Sequence, residues 1–426
     1  MSRPKYLTLS LLIAGVVLAL PPAASARTGN CVPGQPRPVC HIWTGKVTFV
    51  ADGDTMYVNI NGVGNKRVRI TGINAQEQTS YSHVASRRHG ECHAVAATNY
   101  LGSLIRQGHH RVRLLAQYPS SHSGPRPRRS IQTQIGGRWV DVGTALLRHG
   151  DVLWLPNPRE WAWNAEYNRL SQEAAAKKIR LWNPSGCGRG PAANVRVWVN
   201  WHAEGGSING EWMRIKNDDQ TRPLKLGRWV ARTSDLRRYR FPSGTTVAPG
   251  ATLTLHVGHG RNTRTDRFWG LGVSIFDNVT HDATARGDGG YLFDPRGNLR
   301  AYMIYPCRVN CADPLQGRAS VNAFPDERQE YVTVRNTSSG PIDLEGYQVS
   351  TRYHLYSFGA HSVVGPGETM RIYMQGSARN DTALVKHWGF SGNILSNAGD
   401  SIALRTYSDV ILSCYSWGVG SCRDQP

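Results

Sequence analysis

The chain has 426 residues and carries 50 Lys and Arg against 30 Asp and Glu, a formal net charge of +20. Hydrophobic residues make up 40% and charged residues 19%, with 45 Gly and 23 Pro. This composition excludes a disordered chain, a coiled coil, a collagen and a polytopic transporter. It favours turn-rich β architecture in about three domains, at roughly 150 residues per domain.

The N-terminus predicts a secretory signal peptide. Arg3 and Lys5 precede an apolar run at residues 7–20, and Ala24 and Ala26 frame a small-residue cleavage site. A helix over that run would span about 21 Å, too little for a bilayer core of about 30 Å, although an uncleaved anchor is the alternative. We therefore expect cleavage near Ala26 and a secreted or cell-surface-associated chain with no transmembrane segment in its mature form.

The eight cysteines are an even number and include no Cys-x-x-Cys spacing. In an exported protein this pattern predicts disulfides and argues against a zinc ribbon. Eight cysteines allow 105 connectivities, so proximity in sequence serves as the guide. It predicts the pairs Cys31–Cys40, Cys307–Cys311 and Cys414–Cys422, which leaves Cys92 to pair with Cys187.

Positive charge is concentrated in the first part of the mature chain. Residues 27–190 carry 22 Lys and Arg against 9 Asp and Glu, whereas residues 191–426 carry 26 against 21. Such a field attracts polyanions, which here means nucleic acid, an anionic cell-wall polymer or an anionic membrane surface. Solubility alone is the other interpretation of the charge.

Three alternating runs at residues 44–50, 55–60 and 66–71 predict strands, because Asp-Gly and Asn-Gly dipeptides separate them. Strands joined in this way form an antiparallel meander. If Ile60 faces Lys66 across the second turn, the start of the second strand lies beside the end of the third.

This register groups polar side chains at one end of the sheet. Asp54 lies beside Asn74 and Glu77, Asp52 is close by, and Arg69 lies on the neighbouring strand. Hard oxygen ligands suit calcium or another divalent cation. A guanidinium beside them suits a phosphate, which it can grip through two parallel hydrogen bonds.

Five segments between residues 44 and 183 carry a recognisable pattern. They are Asp52-Gly-Asp-Thr55, Arg69-Ile-Thr-Gly-Ile-Asn-Ala-Gln-Glu77, Glu91-Cys-His-Ala-Val-Ala-Ala97, Gly143-Thr-Ala-Leu-Leu-Arg-His-Gly150 and the helical spacing of residues 164–182. Together they resemble the staphylococcal nuclease (thermonuclease) family over nearly the whole domain. The resemblance implies an OB-fold β-barrel of five strands with three helices, and calcium-dependent hydrolysis of DNA or RNA with little sequence preference.

The resemblance also implies roles for individual residues. The implied metal ligands are Asp54, Asn74, Ala75 through its carbonyl, and the assisting Asp52. The implied catalytic residues are Arg69, Glu77 and Arg129, with Arg128 as the alternative to Arg129. In these roles Glu77 orients or activates the attacking water, and the arginines bind the phosphate and stabilise the charge of the transition state.

Two positions depart from the family pattern. Asn74 stands where the family has a second acidic ligand, and Gln76 replaces a proline. An Asn carbonyl can still bind a cation, but the lost charge weakens affinity. In addition, residues 124–132 are rich in Pro and Arg where the family has a Tyr-Gly-Arg stretch, so a flexible basic loop that only attracts phosphate is the other interpretation of this segment.

A repeat of about 119 residues follows the first domain. Residues 211–217 resemble residues 330–336, and Trp269-Gly270 recurs as Trp388-Gly389. A repeat of this length is a duplicated domain, and its short alternating strands predict an immunoglobulin-like all-β sandwich in each copy. Both copies resemble the lamin tail domain.

These patterns together predict a multidomain chain. Its parts are a signal peptide at 1–26, an N-terminal segment at 27–43, a thermonuclease-like OB-fold domain of α+β class at 44–188, and lamin tail-like domains at 191–306 and 312–416. We expect a monomeric, secreted phosphodiesterase that uses Ca²⁺ or another divalent cation, with the sandwiches serving for tethering or binding. The alternative is a catalytically impaired nuclease fold that binds extracellular nucleic acid or anionic cell-wall polymer without cleaving it.

Overall fold

The computed structural model describes residues 26–78, 90–202, 206–235, 237–326 and 328–425. All but the last residue of the predicted signal peptide lies outside these ranges, so the signal peptide remains a prediction. Within the described ranges, no helix is long and apolar enough to cross a membrane. The chain folds into a mixed N-terminal domain followed by two β-sandwiches.

Within the described residues, the N-terminal domain has ten β-strands and three α-helices. The strands are β1 (Arg27–Asn30), β2 (Val39–Asp52), β3 (Thr55–Ile60), β4 (Gly64–Ile70), β5 (Ile73–Ala75), β6 (Arg111–Ala116), β7 (His122–Ser123), β8 (Arg126–Ile135), β9 (Arg138–Asp141) and β10 (Val152–Trp154). The helices are α1 (Ala94–Gln107), α2 (Val142–His149) and α3 (Asn164–Ala176).

Five of these strands close into a ring. β2 pairs with β3 and also with β6, β3 pairs with β4, β4 runs parallel to β8, and β8 pairs with β6. Gly45 lies where β2 passes from one partner to the other, opposite both Ile60 and Val112. A Cβ there would lie 2.7 Å from the carbonyl oxygen of Asn59, so the close approach of the strands requires glycine.

The predicted meander is present as β2, β3 and β4, but its register differs from the prediction. Ile60 pairs with Gly64 rather than with Lys66. The tighter turn forms because Gly62 and Gly64 adopt positive φ angles of 73° and 86°. A shift of two residues keeps every side chain on its predicted face, since the strand period is two. Val68 is accordingly fully buried.

The helices complete the core of the N-terminal domain. Leu101 of α1, Leu146 of α2 and Leu170 of α3 are buried in one cluster with the inward side chains of the ring. Each such side chain stabilises the fold by about 1.5–3 kcal/mol. Asp141 caps α2 by accepting a backbone N–H of its first turn at 2.7 Å. The same carboxylate accepts the hydroxyl of Tyr167 at 2.6 Å and thereby joins α2 to α3.

The first sandwich consists of two four-stranded sheets and a short hairpin-like pair. Its strands are β11 (Val195–Asn200), β12 (Trp212–Asn217), β13 (Leu224–Lys225), β14 (Val230–Thr233), β15 (Arg238–Arg240), β16 (Thr246–Val247), β17 (Thr252–His256), β18 (Asp266–Phe268), β19 (Asp288–Phe293) and β20 (Leu299–Tyr305). The sheets have the orders β11-β12-β17-β18 and β15-β14-β19-β20.

The second sandwich repeats this arrangement strand for strand. Its strands are β21 (Ala319–Phe324), β22 (Tyr331–Asn336), β23 (Ile342–Asp343), β24 (Tyr347–Ser350), β25 (Leu355–Ser357), β26 (Val363–Val364), β27 (Thr369–Gln375), β28 (Val385–Phe390), β29 (Gly399–Thr406) and β30 (Ile411–Gly418). The sheets have the orders β21-β22-β27-β28 and β25-β24-β29-β30. Both units are immunoglobulin-like β-sandwiches, and the duplication read from the sequence is a duplication of structure.

The acidic residue that opens each repeat motif is a buried structural group. Glu211 is 2% exposed and accepts the backbone N–H of Ile275 at 2.9 Å. Glu330 is 1% exposed and accepts the N–H groups of Ile394 and Leu395 at 2.7 and 3.0 Å. Each carboxylate therefore holds the loop that precedes the last two strands of its sandwich, which explains why the motif recurs without any catalytic role.

The three units stack in chain order. The indole of Trp182 in the N-terminal domain lies 5.1 Å from the ring of Tyr302 in the first sandwich. Lys216 of the first sandwich forms a 2.7 Å ion pair with Glu345 of the second. Trp182, Lys216 and Glu345 are largely buried, whereas Tyr302 is partly open to solvent at 39% exposure, so the domains are joined by side-chain contacts and not only by linkers.

Four disulfides join the cysteines in the predicted pairs, three of which are close in sequence. They are Cys31–Cys40, Cys92–Cys187, Cys307–Cys311 and Cys414–Cys422. The Cys92–Cys187 bridge closes a loop of 95 residues across the N-terminal domain. Disulfides of this number are typical of proteins that fold in an oxidising, extracellular environment.

Candidate active site

A cleft of about 490 Å³ lies between the N-terminal domain and the first sandwich. The N-terminal domain lines it with Asp52, Arg67, Arg69, Glu77, Arg126 and Arg128. The first sandwich lines it with Asp235, Ile275, Asp277 and Asp288. Of the residues predicted from the sequence, three meet in the cleft and four do not line it. The three are Asp52, Arg69 and Glu77, and the four are Asp54, Asn74, Ala75 and Arg129.

The turn between β2 and β3 positions the acidic side chains. Asp52 accepts the backbone N–H of Asp54 at 3.1 Å, which fixes the turn. A Cβ on Gly53 would lie 2.7 Å from the Cβ atoms of both Ala75 and Ala97. Glycine is therefore required for the turn to pack between β5 and α1, and this packing places Asp52 in the lining of the cleft.

Arg69 occupies the space between two of the predicted metal ligands. Its guanidinium forms an ion pair with Asp54 and donates to the side-chain oxygen of Asn74 at 2.9 Å. The other carboxylate oxygen of Asp54 accepts the N–H of Ala75 at 2.8 Å, and Thr55 donates its hydroxyl at 2.9 Å. Asp54 and Asn74 therefore hold Arg69 in place beneath the cleft, where Arg69 is only 8% exposed.

Burial shifts the pKa values of two charged groups that line the cleft, Arg69 and Asp52. Burial lowers the pKa of Arg69 to about 10, an effect that Asp52 opposes and Arg126 reinforces. Arg69 is nevertheless a cation at neutral pH. Burial also raises the pKa of the Asp52 carboxyl, and the positive charge of Arg69 counteracts that rise.

The arginines of β8 require a correction to the sequence prediction. Arg129 does not line the cleft: it is 7% exposed, donates to the carbonyl of Pro119 at 3.0 Å and lies 4.7 Å from the ring of Trp43. Arg126 and Arg128 line the cleft instead. Side chains alternate between the two faces of a strand, so residues 126 and 128 point towards the cleft and Arg129 points to the opposite face. The parallel pairing of Arg128 with residue 69 then brings it to the site.

Comparison with known families identifies the two sandwiches. The family model described as Lamin Tail Domain matches residues 191–306 and 315–418, which together make up just over half of the chain. The chain belongs to the lamin tail domain family. The N-terminal domain lies outside both matches, and no curated protein is significantly similar to the chain. The two lamin tail domains therefore account for the fold of the second half.

The first lamin tail domain contacts the two positions that depart from the nuclease pattern. The side-chain amide of Asn74 donates to the carbonyl of Ser234 at 2.5 Å. The side-chain oxygen of Gln76 accepts a hydrogen bond from Arg232, which is 1% exposed. An aspartate could not donate to the Ser234 carbonyl, and a proline could not accept from Arg232. Asn74 and Gln76 are thus interface residues as well as neighbours of the site.

The first lamin tail domain also supplies carboxylates that sequence reasoning missed. Asp288 is 4% exposed and accepts the N–H of Gly289 at 2.7 Å, and burial raises its pKa well above the usual range. The nearby carboxylates Asp277 and Asp235 raise it further. The only signal in the sequence was the altered Gly-Asp segment at residues 286–289, because the meeting of two domains is not encoded in any local pattern.

We expect the substitution Asn74→Asp to destabilise the contact between the N-terminal domain and the first lamin tail domain. The carboxylate loses the hydrogen bond to Ser234 and faces its carbonyl oxygen, at a cost of about 1–3 kcal/mol. Scanning calorimetry should show a melting temperature Tm lower by about 3–8 °C. Asn59→Asp, an exposed change on β3, is the matched control, and an Asn74→Asp protein as stable as the parent would contradict the interface role.

Among the described residues, one group of His, Cys, Asp and Glu side chains has its potential ligand atoms close enough together to hold a metal ion, and it does not line the cleft. It consists of Cys92, His93 and Cys187. The two cysteines form a disulfide, so neither offers a thiolate to a metal. Burial lowers the pKa of His93, as expected for a neutral imidazole packed beside the bridge. This cluster is a structural element.

Proposed function

We propose that the protein is a secreted phosphodiesterase that hydrolyses DNA or RNA in the cleft between the N-terminal domain and the first lamin tail domain. One observation carries the proposal. Arg69 and Arg128 from paired strands share a single cleft with the carboxylates of Asp52 and Glu77. This combination provides cations for a phosphate and a base for water, which are the two requirements of phosphodiester hydrolysis.

The arginines differ in the freedom they have to bind phosphate. Arg69 is held by Asp54 and Asn74 and presents a fixed guanidinium, so it costs little to reorganise when charge develops in the transition state. Arg126 and Arg128 are partly exposed along the same wall and can follow the neighbouring phosphates of a strand. Planar guanidinium groups suit this role because they bind phosphate oxygens in pairs.

Glu77 is the group that we assign to activation of the attacking water. It lines the cleft, and its backbone N–H donates to Glu91 at 2.7 Å, which fixes the chain at the end of β5. A carboxylate in this position can accept a proton from water while the arginines bind the phosphate. Asp52 lies on the same wall and serves as the second acidic group of the site.

Divalent cation binding is part of the proposal, with a changed set of ligands. Asp54 and Asn74 already bind Arg69, whereas Asp52 and Glu77 line the cleft from the N-terminal domain and Asp277 lines it from the first lamin tail domain. Hard carboxylate oxygens of this kind suit Ca²⁺. When bound, the cation would supply charge stabilisation at the phosphate.

Two further observations support the proposal. The closed ring of five strands with three helices is the architecture that the resemblance to the thermonuclease family implies, and the OB-fold is our proposal for it. The four disulfides favour secretion. We propose that the lamin tail domains hold the catalytic domain and complete one wall of its cleft.

A second candidate function is binding of nucleic acid or another polyanion without cleavage. The observation that favours it is the position of Arg69, whose guanidinium engages Asp54 and Asn74 where the nuclease resemblance implies a cation. The basic wall of the cleft would then retain a polyanion by charge alone. Such binding should weaken steeply as salt is added.

Cleavage assays on the mature chain, residues 27–426, separate the two candidates. Labelled single-stranded DNA and RNA are incubated with the protein in calcium and in EDTA, and products are resolved on gels. Cleavage in calcium that disappears in EDTA supports the phosphodiesterase. Salt-sensitive binding in both buffers without any cleavage supports the polyanion binder and overturns the enzyme.

A further inference from the structure

The outer face of one sheet in the second lamin tail domain carries an unusual set of side chains. We define the stacking face as the outward residues of β21, β22, β27 and β28. Burial alternates along β21 and β27, so that every second residue faces outwards. Strand pairing places residues of β22 and β28 beside these outward positions. A groove of about 620 Å³ runs over this face. The inward residues belong to the core of the sandwich.

Four aromatic rings form a row across the stacking face. Strand register places Phe324 opposite Tyr331, Tyr331 opposite Tyr373, and Tyr373 opposite His387. The ring centroids are 4.5, 5.4 and 5.9 Å apart in that order. All four rings are partly exposed. A row of this kind offers flat π surfaces to a ligand that also has flat rings.

Positive charge accompanies the rings. Arg335 and Arg371 are exposed on the same face, and the guanidinium of Arg371 lies 5.4 Å from the ring centre of Tyr331. Among the described residues that line the groove, none is Asp or Glu. Asp381 stands at the edge of the sheet and is already paired with His387 at 3.0 Å. The face therefore complements a ligand that carries both negative charge and stacking rings.

The first lamin tail domain shows what the same face does in the other repeat. In the first lamin tail domain, the positions equivalent to the aromatic row are occupied by Asn200, Trp212, His256 and Phe268. There the face is a contact surface: Trp212 is 6% exposed and lies 5.3 Å from the ring of Tyr407 in the second domain. Arg214 donates to the carbonyl of Phe358 at 3.1 Å. The first repeat thus uses this face for contact, whereas every described residue that lines the groove on the second copy belongs to the second lamin tail domain itself.

A second copy of this chain cannot cover the stacking face in the same way. The covering surface in the first repeat belongs to the sheet that contains β24 and β29, where Gln348 donates to Asn200 at 3.1 Å. The equivalent sheet of the first domain, which contains β14 and β19, is itself covered by the N-terminal domain through Trp182 and Gln76. Neither covering sheet is free in a second molecule.

We propose that the stacking face binds single-stranded nucleic acid, with bases stacked on the aromatic row and phosphates bound by Arg335 and Arg371. Proteins that bind single strands combine exposed aromatic rings with a positively charged groove. The site is separate from the cleft of the N-terminal domain. Binding at this site requires no cleavage, so its test is independent of the proposed phosphodiesterase activity.

The test measures binding in EDTA, where metal-dependent cleavage cannot occur. The full mature chain is titrated into a labelled oligothymidylate of about 20 nucleotides, and fluorescence anisotropy gives Kd. We expect the double variant Tyr373→Ala/Arg371→Gln to bind about tenfold more weakly. The matched control is Tyr353→Ala/Arg352→Gln, an exposed aromatic–arginine pair of the same domain that lies off the stacking face. It should leave Kd within about twofold.

Photo-crosslinking of the unmodified protein locates the contact without relying on variants. An oligonucleotide that contains 5-iodouracil should crosslink to the peptides that carry Tyr331 and Tyr373, as mapped by mass spectrometry. Crosslinks confined to the N-terminal domain, together with an unchanged Kd of the double variant, would overturn the proposal. The proposal would also be overturned if the protein formed a dimer in sedimentation that the double variant abolished and the control variant did not. It would likewise be overturned if a neutral oligosaccharide, and not unlabelled nucleic acid, displaced the labelled oligothymidylate.

Discussion

The substitution Glu77→Gln should lower kcat for cleavage of single-stranded DNA by a factor of about 10² to 10⁴, the usual contribution of a general base. Glutamine has the same shape but cannot take a proton from water. Because the arginines of the cleft remain, the affinity for DNA should change little, and KM should stay within about threefold. Initial rates in calcium over a range of DNA concentrations provide both parameters.

The matched control for this prediction is Glu173→Gln on α3. Glu173 is partly exposed, and among the described residues its ion pair is with Arg169, so its loss removes the same charge at a position that does not line the cleft. The control should retain activity within about twofold, as surface substitutions usually do. If Glu77→Gln cleaves as fast as the parent protein while Asp52→Asn does not, Asp52 is the base and our assignment is wrong.

Local sequence patterns predicted much of the fold for a physical reason. Turn dipeptides and period-two alternation are properties of the chain near each residue, and they survive errors in register. The β3–β4 hairpin is two residues tighter than predicted, yet Arg69 still faces the site and Val68 the core. Three of the disulfides join cysteines that are close in sequence, so they too follow from a local pattern. Cys92 and Cys187 were paired because they were the two cysteines that remained.

The parts that the sequence could not predict depend on contacts between distant elements. Arg129 was chosen over Arg128 by counting from a turn, but the phase of β8 is set by its pairing with residue 69 on β4. Asn74 and Gln76 were interpreted as losses from a nuclease pattern. The structure shows both side chains bonded to the first lamin tail domain, more than 150 residues away in sequence. A departure from a family pattern can therefore mark an interface.

The presence of a neutral Asn at position 74 also changes the charge balance around Arg69. With an acidic residue at position 74, Arg69 would have two carboxylate partners; with Asn74 it has one, Asp54, and a neutral amide. The remaining ion pair is buried on both sides, since the two side chains are 9% and 4% exposed. Asp52 and Glu77 also favour the charged form of Arg69, but from a greater distance. A buried guanidinium with one carboxylate in direct contact depends strongly on that carboxylate.

The substitution Asp54→Asn should therefore destabilise the N-terminal domain by about 3–5 kcal/mol, the cost of leaving a buried charge without its partner. Hydrogen exchange of the peptides that cover β3 to β5 should become faster by two to three orders of magnitude at a fixed pH, since about 1.4 kcal/mol corresponds to a factor of ten. Peptides from the second lamin tail domain provide the internal control and should not change.

The double variant Asp54→Asn/Arg69→Met separates loss of the partner from loss of the pair. Removing both charges relieves the uncompensated guanidinium, so much of the protection lost in Asp54→Asn should return. We expect no cleavage by the double variant, because it lacks the guanidinium that we propose as a phosphate ligand. If the single and double variants exchange at the same rate, the ion pair does not hold Arg69 in place. Asp54 would then be available as a metal ligand, the role that the resemblance to the nuclease family implies.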